Sequence, residues 1–164
     1  MAKTITVELS DKGVEKAIKE LMAYKQWVTL KEKELRDRLA ALGATVASIQ
    51  FSRAIYNGTN DVTVRVDDIG TVAVIYANGE SVAFIEFGSG AKYGYGHPQA
   101  GEHGVGPGTY PDGKGHWNSP HGWWIPKEKG GGHTYGNPPA MAMYNAVQRM
   151  TEQITMIAKE VFAK

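Results

Sequence analysis

Between Gly88 and Gly136 the chain changes character: fifteen of its twenty glycines, all five histidines, three of its four tryptophans and five of its seven prolines fall there. No helical or strand periodicity runs through this stretch. A packed core must therefore be assembled from the residues on either side of it, joined across a long insertion loop spanning 88–136. A chain of 164 residues with 42% apolar composition has material for one such core, so a single domain over 1–164 is expected.

Ahead of the insertion the patterns are regular. Thr4-Ile5-Thr6-Val7-Glu8-Leu9 alternates with period two and predicts a short strand with Ile5, Val7 and Leu9 on one face. Ser10 and Asp11 offer side-chain oxygens to first-turn amides, and Val14, Ala17, Ile18, Leu21 and Met22 follow at helical spacing, predicting a helix over 11–24. Leu35, Leu39, Leu42, Val46 and Ile49 recur at steps of four and three, predicting a longer helix over 27–55. The pattern leaves open whether these are two helices or one. Glu32 with Arg36 and Glu34 with Arg38 are i,i+4 pairs worth about 0.2–0.5 kcal/mol each and mark a solvated face. Ala40, Ala41, Ala44 and Ala47 flank the leucine stripe and, with Gly43, would let another element approach closely.

Val62, Val64 and Val66 alternate with polar residues as a strand that Asp67-Asp68-Ile69-Gly70 turns. Thr71 to Ala77 and Glu80 to Phe87 are two further strand-prone runs separated by Asn78-Gly79, a strong hairpin signal. A two-residue loop there pairs Ala77 with Glu80, Ile75 with Val82 and Ala73 with Phe84, and leaves both faces apolar. The second face then needs a cover from elsewhere in the chain or from another subunit. After the insertion, Asn137-Pro138-Pro139 reads as an N-cap with proline in the first turn. Met143, Ala146, Val147, Met150, Ile154, Ile157, Val161 and Phe162 complete a closing amphipathic helix. The expected class is α+β: an antiparallel sheet with a central hairpin, packed against N-terminal and C-terminal amphipathic helices.

The residues that carry chemistry do not form a recognisable engine. Net charge is +1 with 21% charged residues, so there is no basic field for nucleic acid. With no cysteine, thiolate chemistry and cysteine metal sites are excluded. No signal-like or membrane-spanning apolar run occurs, and a cytosol-like solvent is expected. His97, His103, His116, His121 and His133, with Glu102, Asp112 and Glu128, suit zinc by type, but no HExxH occurs and no two lie at i,i+4 on a helix. Gly94-Tyr95-Gly96 and Gly104-Val105-Gly106-Pro107-Gly108 lack the strand-to-helix setting and the Lys-Ser/Thr of a phosphate loop. Gly88-Ser89-Gly90 is too short for a nucleophile elbow. Tyr93, Tyr95, Tyr110, Trp117, Trp123, Trp124 and Tyr135 are read as pins that hold the loop onto the protein or onto a neighbour, in preference to base or sugar stacking. Glu86 is expected opposite Thr71 near a strand end, exposed or paired at an interface. No catalytic residue, cofactor or metal is assigned.

Two segments, Phe84-Ile85-Glu86-Phe87-Gly88-Ser89-Gly90 and Asn137-Pro138-Pro139-Ala140-Met141-Ala142-Met143-Tyr144, together with their order around a glycine-rich insertion, resemble the siphophage minor tail-component family typified by phage Hong Kong 97. The resemblance implies a virion protein made in the host cytoplasm, a neck or tail-completion subunit that helps join head to tail. It also implies a ring homo-oligomer, a hexamer, beside head-closure, tail-terminator or tail-tube proteins, with DNA passing through the ring and no membrane partner. Phe84, Glu86, Phe87, Gly88, Gly90, Trp123, Trp124, Asn137, Pro138, Pro139 and Met143 are the expected family-motif or assembly-interface residues. The insertion is longer and richer in His and Trp than the minimal family pattern. Its alternative reading is a tail-associated cell-wall hydrolase or carbohydrate-binding module.

Overall fold

The computed structural model describes residues 4–56, 58–93, 96–104 and 119–163. One helix, α1 (Asp11–Arg53), replaces the two stretches expected at 11–24 and 27–55. Ser10 caps it, its hydroxyl accepting from the Gly13 amide at 3.1 Å. Nothing between Tyr24 and Trp27 breaks a helix, and 43 residues at 1.5 Å each make a rod about 65 Å long. Residues 4–8 ahead of it join no sheet among the described residues, so the strand expected at 4–9 has no partner.

β1 (Thr63–Ile69) and β2 (Val72–Asn78) form an antiparallel hairpin in which Ile69 pairs with Val72 and Val64 with Ala77. The turn is Gly70-Thr71, with Gly70 at φ 66°. The hairpin expected at Asn78-Gly79 is therefore one strand early, and the register pairing Ala77 with Glu80, Ile75 with Val82 and Ala73 with Phe84 is overturned. The run after Gly79 is instead α2 (Val82–Phe87). Both readings fit a short run that is apolar on all sides, which periodicity cannot divide between a covered strand and a buried helical turn. Asp61 decides it locally: its carboxylate accepts from the amides of Glu80 at 2.6 Å and Ser81 at 3.1 Å, and Ser81 Oγ donates to the Thr59 carbonyl at 2.7 Å. These bonds consume the groups a strand would have offered, and the Ile85 amide bonds back to the Ser81 carbonyl to start the turn.

α4 (Ala142–Phe162) packs antiparallel along α1, and the hairpin packs on α1 beside it. At Gly43 the two layers squeeze the helix. A Cβ there would lie 2.6 Å from Ile75 Cδ1 and 2.6 Å from Met150 Sδ. The central cluster joins Ala47 and Phe51 of α1, Ile85 of α2, and Ala142 and Ala146 of α4, all buried. Ile157 and Val161 extend the α1/α4 seam to an edge-on contact between Trp27 and Phe162. Arg36 and Arg38 do not take the i,i+4 partners expected of them. Arg36 reaches Asp68 of β1 at 3.1 Å and Arg38 pairs with Glu160 of α4, so this helical face is tied to both neighbouring elements.

The insertion is not devoid of regular structure. It holds α3 (Gly90–Tyr93), a two-residue ribbon of β3 (Trp123–Trp124) with β4 (His133–Thr134), and a 3-10 turn at Lys127–Lys129. The architecture is thus mixed helix and sheet with two small antiparallel sheets, in keeping with α+β.

Replacing Gly43 by leucine is expected to destabilise the protein by about 1–3 kcal/mol in urea unfolding, because Ile75 and Met150 occupy the space from both sides. The amides of Glu80 and Ser81 hold the Asp61 carboxyl below the usual carboxylate range. A depressed folded-state value contributes stability that is present above the unfolded value and lost as pH falls through the folded one. Urea midpoints measured across that acid window should fall in the wild type and change less in Asp61→Asn.

Candidate functional site

The two segments that carry the resemblance lie at opposite ends of the insertion, and in the fold they are knitted to each other. Ser89 donates its amide to the Asn137 carbonyl at 2.9 Å, and its hydroxyl accepts from the Asn137 amide at 3.1 Å and side-chain Nδ2 at 3.3 Å. The Ala140 amide bonds to the Ile85 carbonyl at 2.8 Å and the Met141 amide to the Glu86 carbonyl at 3.2 Å. The result is a short, strand-like clasp with no strand in it.

Glycine makes the clasp possible at two points. Gly136, at φ 101°, would place a Cβ 2.0 Å from the Ser89 carbonyl oxygen. Gly88, at φ 76°, would place one 2.8 Å from Pro139 N. Any side chain would force the two backbones apart. Gly90 is held in the same way against the Tyr135 carbonyl, and Pro139 fills the space beside Gly88 and Gly96.

Glu86 lies at the centre. From its sequence it is expected near a strand end, exposed or paired at an interface. The structure buries it on α2, where Oε2 accepts from the Met143 amide at 2.9 Å and Oε1 from the Tyr144 amide at 3.0 Å. Those are first-turn donors of α4 that the helix cannot satisfy itself, and a carboxylate there also meets the positive end of the helix dipole. The helix therefore starts at Ala142 and not at the expected cap, Asn137. Its preceding residue, Met141, sits at φ 51°, a left-handed conformation costing a non-glycine residue about 1–3 kcal/mol. Asn137-Pro138-Pro139 ends up as part of the clasp, while Met143 packs on the central cluster.

His97, the first histidine of the insertion, completes the arrangement. Its Nδ1 accepts the Gln99 amide at 3.1 Å, so the ring proton is on Nε2, which donates to Glu86 Oε1 at 3.3 Å. The ring packs against Phe87, 4.5 Å between centroids, and Tyr144, at 5.6 Å. Both side chains of the pair are nearly inaccessible, with 2% and 6% exposure for His97 and Glu86. Every polar atom of the pair is taken up in fastening the insertion to α4.

The other expected site residues separate into two places. Phe84, Trp123 and Asn137 line one partly open pocket of about 180 Å³ together with Tyr56, Ser89, Ile125 and Thr134. Trp124, on the other face of the ribbon, is 75% exposed and sits 5.2 Å from His133, which is 5.0 Å from Tyr135. Lys92 lies over the rings of Tyr93 and Tyr135. Tyr95, Tyr110, Asp112, His116 and Trp117 fall outside the described residues, as do Gly94 and the stretch 105–108. Among the described residues no group of three His, Asp or Glu side chains is arranged to hold a metal.

Ser89, His97 and Asp61 carry structural roles that the sequence did not single out. The signal for Ser89 was its place in Gly88-Ser89-Gly90, a backbone bend that brings a hydroxyl against another segment. His97 had no such signal, because its partner is eleven residues upstream across a helix end.

Glu86→Ala would leave one buried and two part-buried donors without an acceptor and is expected to cost about 3–5 kcal/mol of unfolding free energy in urea titration. Glu86→Gln, which keeps the shape and one acceptor oxygen, should cost less. Equal stability of wild type and Glu86→Ala would show that α4 finds its cap elsewhere. Comparison of the chain with protein-family models, with curated proteins and with solved structures finds no match in any of the three.

Proposed function

We propose that this chain is a structural subunit of a tailed-bacteriophage virion, a neck or tail-completion protein that self-associates into a ring at the head-tail junction and helps join head to tail. One observation carries the reading: the fold leaves uncovered an apolar surface of the kind that assembly covers. Along α1, Val14, Ile18, Leu21 and Met22 are exposed on adjacent turns, with Leu21 at 60% and Met22 at 61%. They lie beyond the Trp27/Phe162 contact, where α4 has ended. Ile69, Val72 and Val74 are exposed on the hairpin. Single exposed apolar residues are ordinary, but a run on one helix and a group on one small sheet mark contact surfaces.

The interlock of the two motif segments supports the same reading. They are hydrogen-bonded together around Glu86 and Ser89, which fits a framework role for the residues that carry the resemblance. Among the described residues no helix is long and apolar enough to cross a membrane. Sixfold symmetry and the head-closure, tail-terminator or tail-tube neighbours enter from the resemblance.

A second reading has one observation in its favour. The exposed Trp124 with His133 and Tyr135 makes an aromatic ledge suited to a sugar ring, as in a wall-binding module. Deletion of the gene, followed by electron microscopy of the lysate, separates the two. Separate heads and tails, or tails with defective ends, are expected for the assembly role, whereas intact but poorly infectious particles would favour wall binding.

A further inference from the structure

The segment ahead of α1 has a strand's sequence and no strand partner among the described residues. Thr4-Ile5-Thr6-Val7-Glu8-Leu9 alternates apolar and polar residues, yet residues 4–8 belong to no sheet among the described residues. Leu9 is fully exposed and Val7 nearly half so. Elsewhere in the fold the outer edge of β1 pairs with no strand among the described residues. β1 lies in a sheet of two strands, and all its residues except Val64 are exposed. A lone two-stranded ribbon is the least stable sheet, and the amides and carbonyls on its open side are a template for another strand.

The arm cannot reach its own hairpin. The turn end of β1 is fastened to α1 by Asp68, which meets Lys33 at 3.2 Å and Arg36 at 3.1 Å. From Asp11 to Lys33 the helix rises about 33 Å, while six residues at full stretch span about 20 Å. Even a tip-to-edge touch falls short, and pairing needs the strands side by side. The strand sequence and the open edge are thus held apart within one molecule and become complementary only between molecules.

We propose that residues Thr4–Leu9 of one copy add as a third strand along the free edge of β1 in the next copy, an inference that rests on the ring-forming reading above. Each copy then gives one strand and receives one. Such a heterologous contact repeats head to tail and closes into a ring when its rotation divides a full turn. Val14, Ile18, Leu21 and Met22 follow directly after the arm, so the same approach brings that stripe against the neighbour.

The absence of cysteine allows a direct test. Full-length Thr6→Cys protein is mixed with a size-tagged copy carrying Arg65→Cys, or Thr63→Cys or Asp67→Cys to cover the register. The mixture is oxidised mildly and run on a non-reducing gel. A mixed disulfide dimer is expected for at least one β1 position and in excess of either self-dimer. In parallel, Val7→Pro, which removes a main-chain donor from a segment outside the core, should raise the concentration for half-assembly by at least about tenfold. Its melting temperature, measured at a concentration where both proteins are monomeric, should be unchanged. Wild-type rings that survive Val7→Pro with no mixed disulfide would overturn strand exchange and leave the ring reading standing. Mixed disulfides in open filaments would support strand exchange and overturn ring closure, and a wild-type monomer without cross-links at every concentration would overturn both.

Discussion

Glu86 binds together parts of the chain that are far apart in sequence. Its carboxylate accepts from the first turn of α4 and from His97, and the backbone around it is clasped to residues 137–141. A buried carboxylate is tolerable only when its oxygens are satisfied, and here three donors from two different segments do so. This fastening brings α4 across the insertion to the side of α1. It also sets where the helix begins, overriding the local cap signal at Asn137 and holding Met141 in a left-handed conformation.

With α4 in place, α1 becomes the axis of the molecule. Gly43 lets the hairpin and α4 approach it from two sides at once, and the salt bridges of Arg36 and Arg38 tie the hairpin turn and α4 to its surface. Exposed pairs of this kind contribute little energy individually, so the core of Ala47, Phe51, Ile85, Ala142 and Ala146 supplies most of the hold. The core is compact relative to the rod that passes through it. α1 continues past the end of α4 with its apolar stripe exposed.

The insertion divides along the same line. Its beginning, at His97, and its end, at Ser89-facing Asn137, are buried structural fastenings. The ribbon between them turns Trp123 inward to the cavity shared with Phe84 and Trp124 outward beside His133. Adjacent tryptophans on a strand point to opposite faces, so one anchors the ribbon and the other is presented. Of the aromatics expected to pin the loop, Trp123 lines the pocket with Phe84 and Trp124 is exposed.

Helices were legible in the sequence because their signal is local. Ser10 capped α1 as its side chain suggests, and the 3.6-residue spacing marked both α1 and α4. Val64, Ile75 and their neighbours were legible as strand residues, but not the pairing, because Asn78-Gly79 and Ile69-Gly70 each supplied a turn signal and the apolar run 82–87 suits a buried helical turn as well as a strand. Sequence alone determined the mixed helix-and-sheet class and the helical character of the stretches that became α1 and α4, though not that α1 is a single helix. Tertiary structure decided that Glu86 is a cap, that Asn137 is not one, and that the strand-like arm at 4–9 pairs with no strand among the described residues. Each of those depends on distances between residues remote in sequence, and no local pattern encodes a distance across the fold.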